Sequence, residues 1–173
     1  MHSVGKLPPK LIYPLPMGSD ETTDRKIIYL LDVNVLIALS DTTHSKSKTS
    51  MSFFENHAVW EGRATSPLTE NGFLRILGNP NYPGGTGTSK EARRLLNTIT
   101  SAPGHRFWPD DLSLATDDLI HELVASHLCL TDFYLLSLAV ANKGKLATFD
   151  KRIDLSFVTG DDQTIFTLEA LGE

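Results

Sequence analysis

The chain contains one cysteine, Cys129, in 173 residues. That excludes an internal disulfide framework and any zinc cluster built from several thiolates. The apolar neighbours of Cys129, from Val124 to Leu130, suggest a buried thiol. No apolar run is long enough to cross a bilayer, so no membrane partner is expected. Lys6 and Lys10 are followed by no continuous apolar stretch, so a secretory leader is not expected and the cytoplasm is the expected compartment. The six histidines lack zinc-ligand spacing, with neither HExxH nor HxH present. Basic residues are also scarce: 16 Lys and Arg against 21 Asp and Glu leave a net charge of -5. That balance argues against indiscriminate coating of nucleic acid and leaves room for a carboxylate-rich site.

What is present fits one ordinary domain, 40% apolar and 21% charged. Residues 1–26 differ from the rest. Pro8, Pro9, Pro14 and Pro16 make them a poor helix and a poor central strand, so they read as an extended or mobile arm ahead of a domain spanning residues 27–173. Short apolar or β-branched runs predict strands at Ile27–Leu31, Arg63–Ser66, His105–Trp108, Leu146–Phe149 and Ile165–Leu168. Helices are expected over Val35–Leu39, Ser45–Asn56, Pro67–Leu77, Thr88–Thr100, Thr116–Ser126 and from Thr131 to Lys143. Thr88 and Glu91 have capping-box spacing, and Asn79–Gly87 has the composition of a loop. Strands alternating with helices give an α/β domain: a mainly parallel sheet of four or five strands, helices on both faces, right-handed crossovers.

Four acids then fall in matching places. Asp32 ends the first apolar run and Asp150 ends the fourth, each at the C-terminal tip of a strand, the edge where open α/β sheets bind ligands. Glu70 precedes Phe73, Leu74 and Leu77 by three, four and seven residues. Asp132 precedes Leu135, Leu136 and Ala139 at the same offsets. Both therefore lie in a first helical turn, in line with the core-facing stripe. Taken singly, each has an ordinary explanation as a helix cap, a complement to the helix dipole or a turn residue.

Together they need something more. Two carboxylates about 4 Å apart repel by about 4 kcal/mol at an effective dielectric of about 20. Converging acids exceed any capping gain unless a cation sits among them. Oxygen-only donors favour Mg²⁺, with Mn²⁺ possible, over Zn²⁺. A metal so held polarises a phosphodiester and supplies a nucleophilic hydroxide, which is metal-assisted phosphoryl hydrolysis.

The same residues resemble the PIN-domain nucleases, and among them the VapC toxins of bacterial toxin–antitoxin pairs. The carriers are Leu30-Leu31-Asp32-Val33-Asn34-Val35-Leu36-Ile37, Thr65 to Phe73 around Glu70, Thr131-Asp132-Phe133-Tyr134-Leu135-Leu136 with Ala139, and Leu146-Ala147-Thr148-Phe149-Asp150. The stretch His105-Arg106-Phe107-Trp108-Pro109-Asp110-Asp111 is similar to one found in a branch of the VapC proteins. The likeness runs from about Ile27 to Leu168. It implies a PIN-like three-layer sandwich and an Mg²⁺- or Mn²⁺-dependent endoribonuclease, neutralised by a cognate antitoxin and commonly a homodimer. Asp32, Glu70, Asp132 and Asp150 would be the catalytic metal ligands, with Asn34 and Thr148 as polar groups steadying Asp32 and Asp150.

Setting the four acids aside leaves the remaining charge near neutral, so RNA contact would rest on local cations: Lys151 and Arg152 beside Asp150, and Arg75 beyond Glu70. Trp60, Tyr82 and Trp108 are candidates for stacking on bases, with packing in the core at least as strong an expectation for Trp108. Met51, Phe53 and Phe54 could line a groove for an antitoxin segment. A nuclease of RNA processing outside a toxin–antitoxin pair, or a non-catalytic RNA- or protein-binding PIN module, are the alternatives. A haloacid-dehalogenase-type phosphatase fits poorly, because the position two residues after Asp32 is Asn34 rather than a second acid.

Overall fold

Apolar runs of four or five residues are too short for helices and too greasy to face water, so they are paired and covered on both sides. In the computed structural model, which describes residues 26–116, 129–153 and 164–168, five strands do this. They are β1 (Tyr29–Leu31), β2 (Arg63–Thr65), β3 (His105–Phe107), β4 (Lys145–Thr148) and β5 (Ile165–Thr167). All pair in parallel, in the order β3-β2-β1-β4-β5. The pleat sorts side chains between two cores. Tyr29, Leu31 and Ala147 pack against α1 (Val33–Ser40), α2 (Ser47–Phe53), α3 (Pro67–Leu77) and α4 (Ser89–Ser101). Leu30, Ala64 and Leu146 pack against α5 (Leu130–Ala141) on the other face. The result is the expected three-layer α/β sandwich.

Element boundaries depart from expectation where local chemistry decides them. The helix after β1 starts at Val33 rather than Val35, with Asp32 at its N-cap. The helix expected to Asn56 stays α-helical only to Phe53 and continues as a π-helical turn, Phe54–Ala58. That wider turn brings residues five apart to one side, which keeps both Phe53 and Ala58 in the core. Phe53 is therefore not available to a groove, and Phe54 packs under the Arg63 guanidinium, 4.9 Å from its ring centre. At α4 the capping box is half made. Thr88 accepts from the Glu91 backbone N–H, while the Glu91 carboxylate pairs with Arg94. The complete box is at α3, between Ser66 and Thr69. The N-terminal arm and the helix expected to Ser126 lie outside the described residues, apart from Lys26 and Thr116.

The strand order positions the site. From β1 the chain crosses to β2 on one side, while β4 is followed by β5 on the other. Neighbouring parallel strands whose connections diverge leave a crevice at their C-terminal ends. Leu31 pairs with Ala147, and the Asp32 N–H donates to the Ala147 carbonyl at 3.1 Å, so Asp32 and Thr148 meet at that crevice.

Two further contacts bring the flanking pieces in. Arg63, fully buried, donates to the carbonyls of Ile99, Ala102 and Pro103, which ties the end of α4 to β2. Gly72 lets α3 close on α1. A Cβ there would stand 2.7 Å from Val33 Cγ2 and 3.3 Å from Cγ1, and Val33 immediately follows Asp32. Gly72→Ala therefore forces the two helices apart and is expected to destabilise by about 1–3 kcal/mol in urea unfolding. Adding Val33→Ala removes the obstructing methyls and should recover part of that loss. Equal stability of Gly72→Ala and wild type would contradict the close approach.

Candidate active site at the sheet edge

Asp32 is the buried member of the site, 8% exposed. It makes no side-chain capping bond to α1. Its Oδ2 accepts from Thr148 Oγ1 at 2.9 Å. The same Oγ1 accepts from the Asp150 backbone N–H at 3.1 Å. One hydroxyl at the end of β4 thus holds the carboxylate of one acid and the backbone of another. Burial pushes the Asp32 carboxyl above the usual carboxylate range, and the Asp132 charge adds to the shift. The Thr148 bond and the backbone N–H groups of Val33 and Asn34 only partly offset it. The Asn34 side chain is exposed, and what it offers Asp32 is its backbone N–H.

Asp132 lies in the first turn of α5, half-buried. Burial first, then the charge of Asp150, raise its carboxyl, against a lowering by Arg152. Asp150 behaves oppositely. Its Oδ1 accepts from the Arg152 backbone N–H at 2.8 Å and from Nε at 3.1 Å, and its Oδ2 from a terminal guanidinium nitrogen at 2.9 Å. That guanidinium holds the Asp150 carboxyl below the usual range. Lys151 and Arg152 are both exposed beside it.

Glu70 occupies the same edge from the first turn of α3, but differently. Its Oε1 accepts from Thr65 Oγ1 at 2.7 Å, and that hydroxyl also lies 2.8 Å from His105 Nε2. Its charge is not among those that shift Asp32 or Asp132. The structure therefore couples three of the four acids and ties the fourth to β2. Thr65 and His105 escaped sequence reasoning because a threonine in a strand reads as a β-former and the histidine is forty residues away. Arg75 is exposed in the last turn of α3, about 7.5 Å along the axis from Glu70. Of the proposed stacking residues, Trp108 is buried in the second core. Trp60 is exposed but precedes β2, at the opposite edge of the sheet from the acids. Tyr82 packs partly against the first core. Cys129 is half-buried rather than buried.

Among the described residues no three His, Cys, Asp or Glu side chains close into a ready metal cage. The chemistry of the set still fits a hard divalent cation. Every donor is a carboxylate oxygen, Asp32 and Asp132 both carry a charge the protein leaves under-compensated, and Asp150 already recruits the nearest cation, Arg152.

Known proteins resemble the chain in sequence and in fold. The model of the PIN domain family matches residues 29–155. The chain is 41% identical to Ribonuclease VapC38 of Mycobacterium tuberculosis (strain ATCC 25618 / H37Rv) over 122 residues, covering 70% of this chain and 84% of that protein. It is 36% identical to Ribonuclease VapC44 of Mycobacterium tuberculosis (strain CDC 1551 / Oshkosh) over 132 residues, 76% of this chain and 92% of that one. In three dimensions it is similar to a chain in the crystal structure of VapBC2 from Rickettsia felis bound to a DNA fragment from their promoter. That likeness has a TM-score of 0.52 at 12% identity, covers 77% of this chain and 94% of that one, and speaks to the fold alone.

The raised carboxyls carry a signed consequence for stability. A carboxyl whose folded pKa exceeds its unfolded value binds protons more tightly when folded, so its charge opposes the fold as pH rises through that window. Asp132→Asn removes that penalty. In the metal-free protein the variant should melt a few degrees above wild type at pH 7, at about 2–4 °C per kcal/mol for a chain of this size. The gap should vanish as the pH falls below about 3.9. Thermal melts in EDTA across that range check it, and a lower melting temperature for the variant at pH 7 would mean that Asp132 serves the helix start instead.

Proposed function

The chain belongs to the PIN domain family, and we propose from that premise that it is a metal-dependent endoribonuclease acting as the toxin of a toxin–antitoxin pair. The observation that carries the reading is the Thr148 hydroxyl at the β1–β4 crevice, which donates to Asp32 Oδ2 and accepts from the Asp150 backbone N–H, with the charge of Asp132 felt at Asp32 and that of Asp150 felt at Asp132. The relatives' names, Ribonuclease VapC38 and Ribonuclease VapC44, support the activity.

In this reading Asp32, Glu70, Asp132 and Asp150 hold Mg²⁺, or Mn²⁺ in its place. When bound, the ion supplies Lewis acidity at a phosphodiester and a hydroxide nucleophile near neutral pH. The protein's own part is positional. Thr148 Oγ1 orients Asp32 and fixes the backbone of Asp150. Lys151 and Arg152, exposed beside Asp150, meet RNA phosphates, and Arg75 does so from α3.

An antitoxin that inserts a guanidinium among the acids would inhibit by the same bidentate pairing that Arg152 already makes with Asp150. A cognate antitoxin, RNA as substrate, a homodimeric assembly and a cytoplasmic location complete the reading. Among the described residues no helix is long and apolar enough to cross a membrane.

RNA cleavage by purified protein tests it. Wild type with Mg²⁺ should cleave, EDTA should stop cleavage, and Asp32→Asn should lower the rate at least about 100-fold, since losses around a metal site reach that scale even for outer partners. Expression should arrest growth, and Asp32→Asn should relieve the arrest. Undiminished cleavage by Asp32→Asn overturns the assignment. Cleavage without growth arrest points to RNA processing instead.

A further inference from the structure

The stretch from His105 to Asp111 begins on the edge strand β3 and contributes no metal ligand to the proposed site, yet its contacts run inward to Glu70. Thr65 pairs in register with Phe107, and the Trp108 N–H donates to the Thr65 carbonyl at 2.9 Å. The Thr65 hydroxyl donates to Glu70 Oε1 and faces His105 Nε2. A hydroxyl has one proton. With that proton given to Glu70, Oγ1 presents only lone pairs to the imidazole, so Nε2 must be the protonated nitrogen. Burial, and then the charge of Arg63, hold His105 below the ordinary histidine range, so the ring is neutral near pH 7 with Nδ1 bare. The bonds run in one direction, from His105 Nε2–H to Thr65 Oγ1–H to Glu70 Oε1, each polarising the next. The same stretch also grips the helix that carries Glu70: Asp110 Oδ2 accepts from the Leu68 N–H at 2.7 Å. Buried Trp108, 6% exposed, anchors the segment in the second core.

We propose that Thr65 and His105 are positioning residues for Glu70, and that the His105–Asp111 stretch orients the one site carboxylate that the other three acids do not engage. The proposal rests on the reading of Glu70 as a metal ligand. A glutamate has three side-chain torsions to fix, and ordering it in advance removes that cost from ion binding. Asp32 receives the equivalent service from Thr148. The site is thus held by two threonine hydroxyls, one ending β2 and one ending β4.

The test is Mn²⁺ affinity by calorimetry on the full chain, with kcat and KM measured on RNA. His105→Phe and Thr65→Val remove the donors. Both should bind Mn²⁺ about tenfold more weakly and lose kcat in proportion, with KM unchanged, as losses of outer partners do at metal sites. His105→Gln, whose amide can donate from the same reach, and Thr65→Ser should restore both quantities to within about threefold, a rescue that a purely space-filling role would not give. Glu70→Gln is the reference. If it binds Mn²⁺ like wild type, the reading of Glu70 fails and the positioning role goes with it. If it binds weakly while His105→Phe binds normally, the positioning role alone is overturned. Nitrogen NMR of the wild-type imidazole needs no variant: a protonated Nε2 and bare Nδ1 support the relay, and the opposite tautomer overturns it.

Discussion

Like charge confined to a crevice is the constraint on which the rest depends. Two carboxyls, Asp32 and Asp132, are held partly out of water beside a further acid, Asp132 for the one and Asp150 for the other, and both are pushed above the usual carboxylate range. A protein maintains such an arrangement only if surrounding structure over-determines it. Here a parallel sheet does so. Its backbone pairing brings Leu31 opposite Ala147, leaving Asp32 and Thr148 no freedom to part. The acid is then carried by the hydrogen-bonded edge of two buried strands rather than by a loop.

The scaffold around that crevice repeats one device. Three of the acids are met by a neighbouring hydroxyl or cation, and the helices close in where a small residue permits. Thr148 serves Asp32, Arg152 serves Asp150, and Thr65 serves Glu70. Gly72 allows α3 to lie against Val33. Arg63, bonded to three carbonyls around the end of α4, keeps β3 close enough for His105 to reach Thr65. Of these, the Arg152 pair has an exposed guanidinium on a half-buried Asp150, and it is the one that an ion or a phosphate can most easily exchange.

Much of this was readable in advance. The apolar run before Asp32 and the one before Asp150 specified buried strands, and their β-branched and aromatic content left little alternative. Glu70 and Asp132 were located by their offsets to core residues, which survive any small error in helix boundaries. Pro67 after Ser66 marked the start of α3 to the residue. Less visible was the π-helical turn at Phe54–Ala58, because it depends on what the opposite layer has room for.

The sequence by itself determined the layer architecture, the parallel pairing and the edge on which four acids gather, since periodicity and strand–helix alternation are local properties of the chain. Only the tertiary structure decided how those acids divide. Asp132 acts on Asp32 and Asp150 acts on Asp132, while Glu70 is drawn aside to Thr65 and His105. The reason is physical: coupling between charges and the direction of a hydrogen bond depend on separations of a few ångströms between residues 32 and 148 or 65 and 105, and no pattern along the chain records a distance through space.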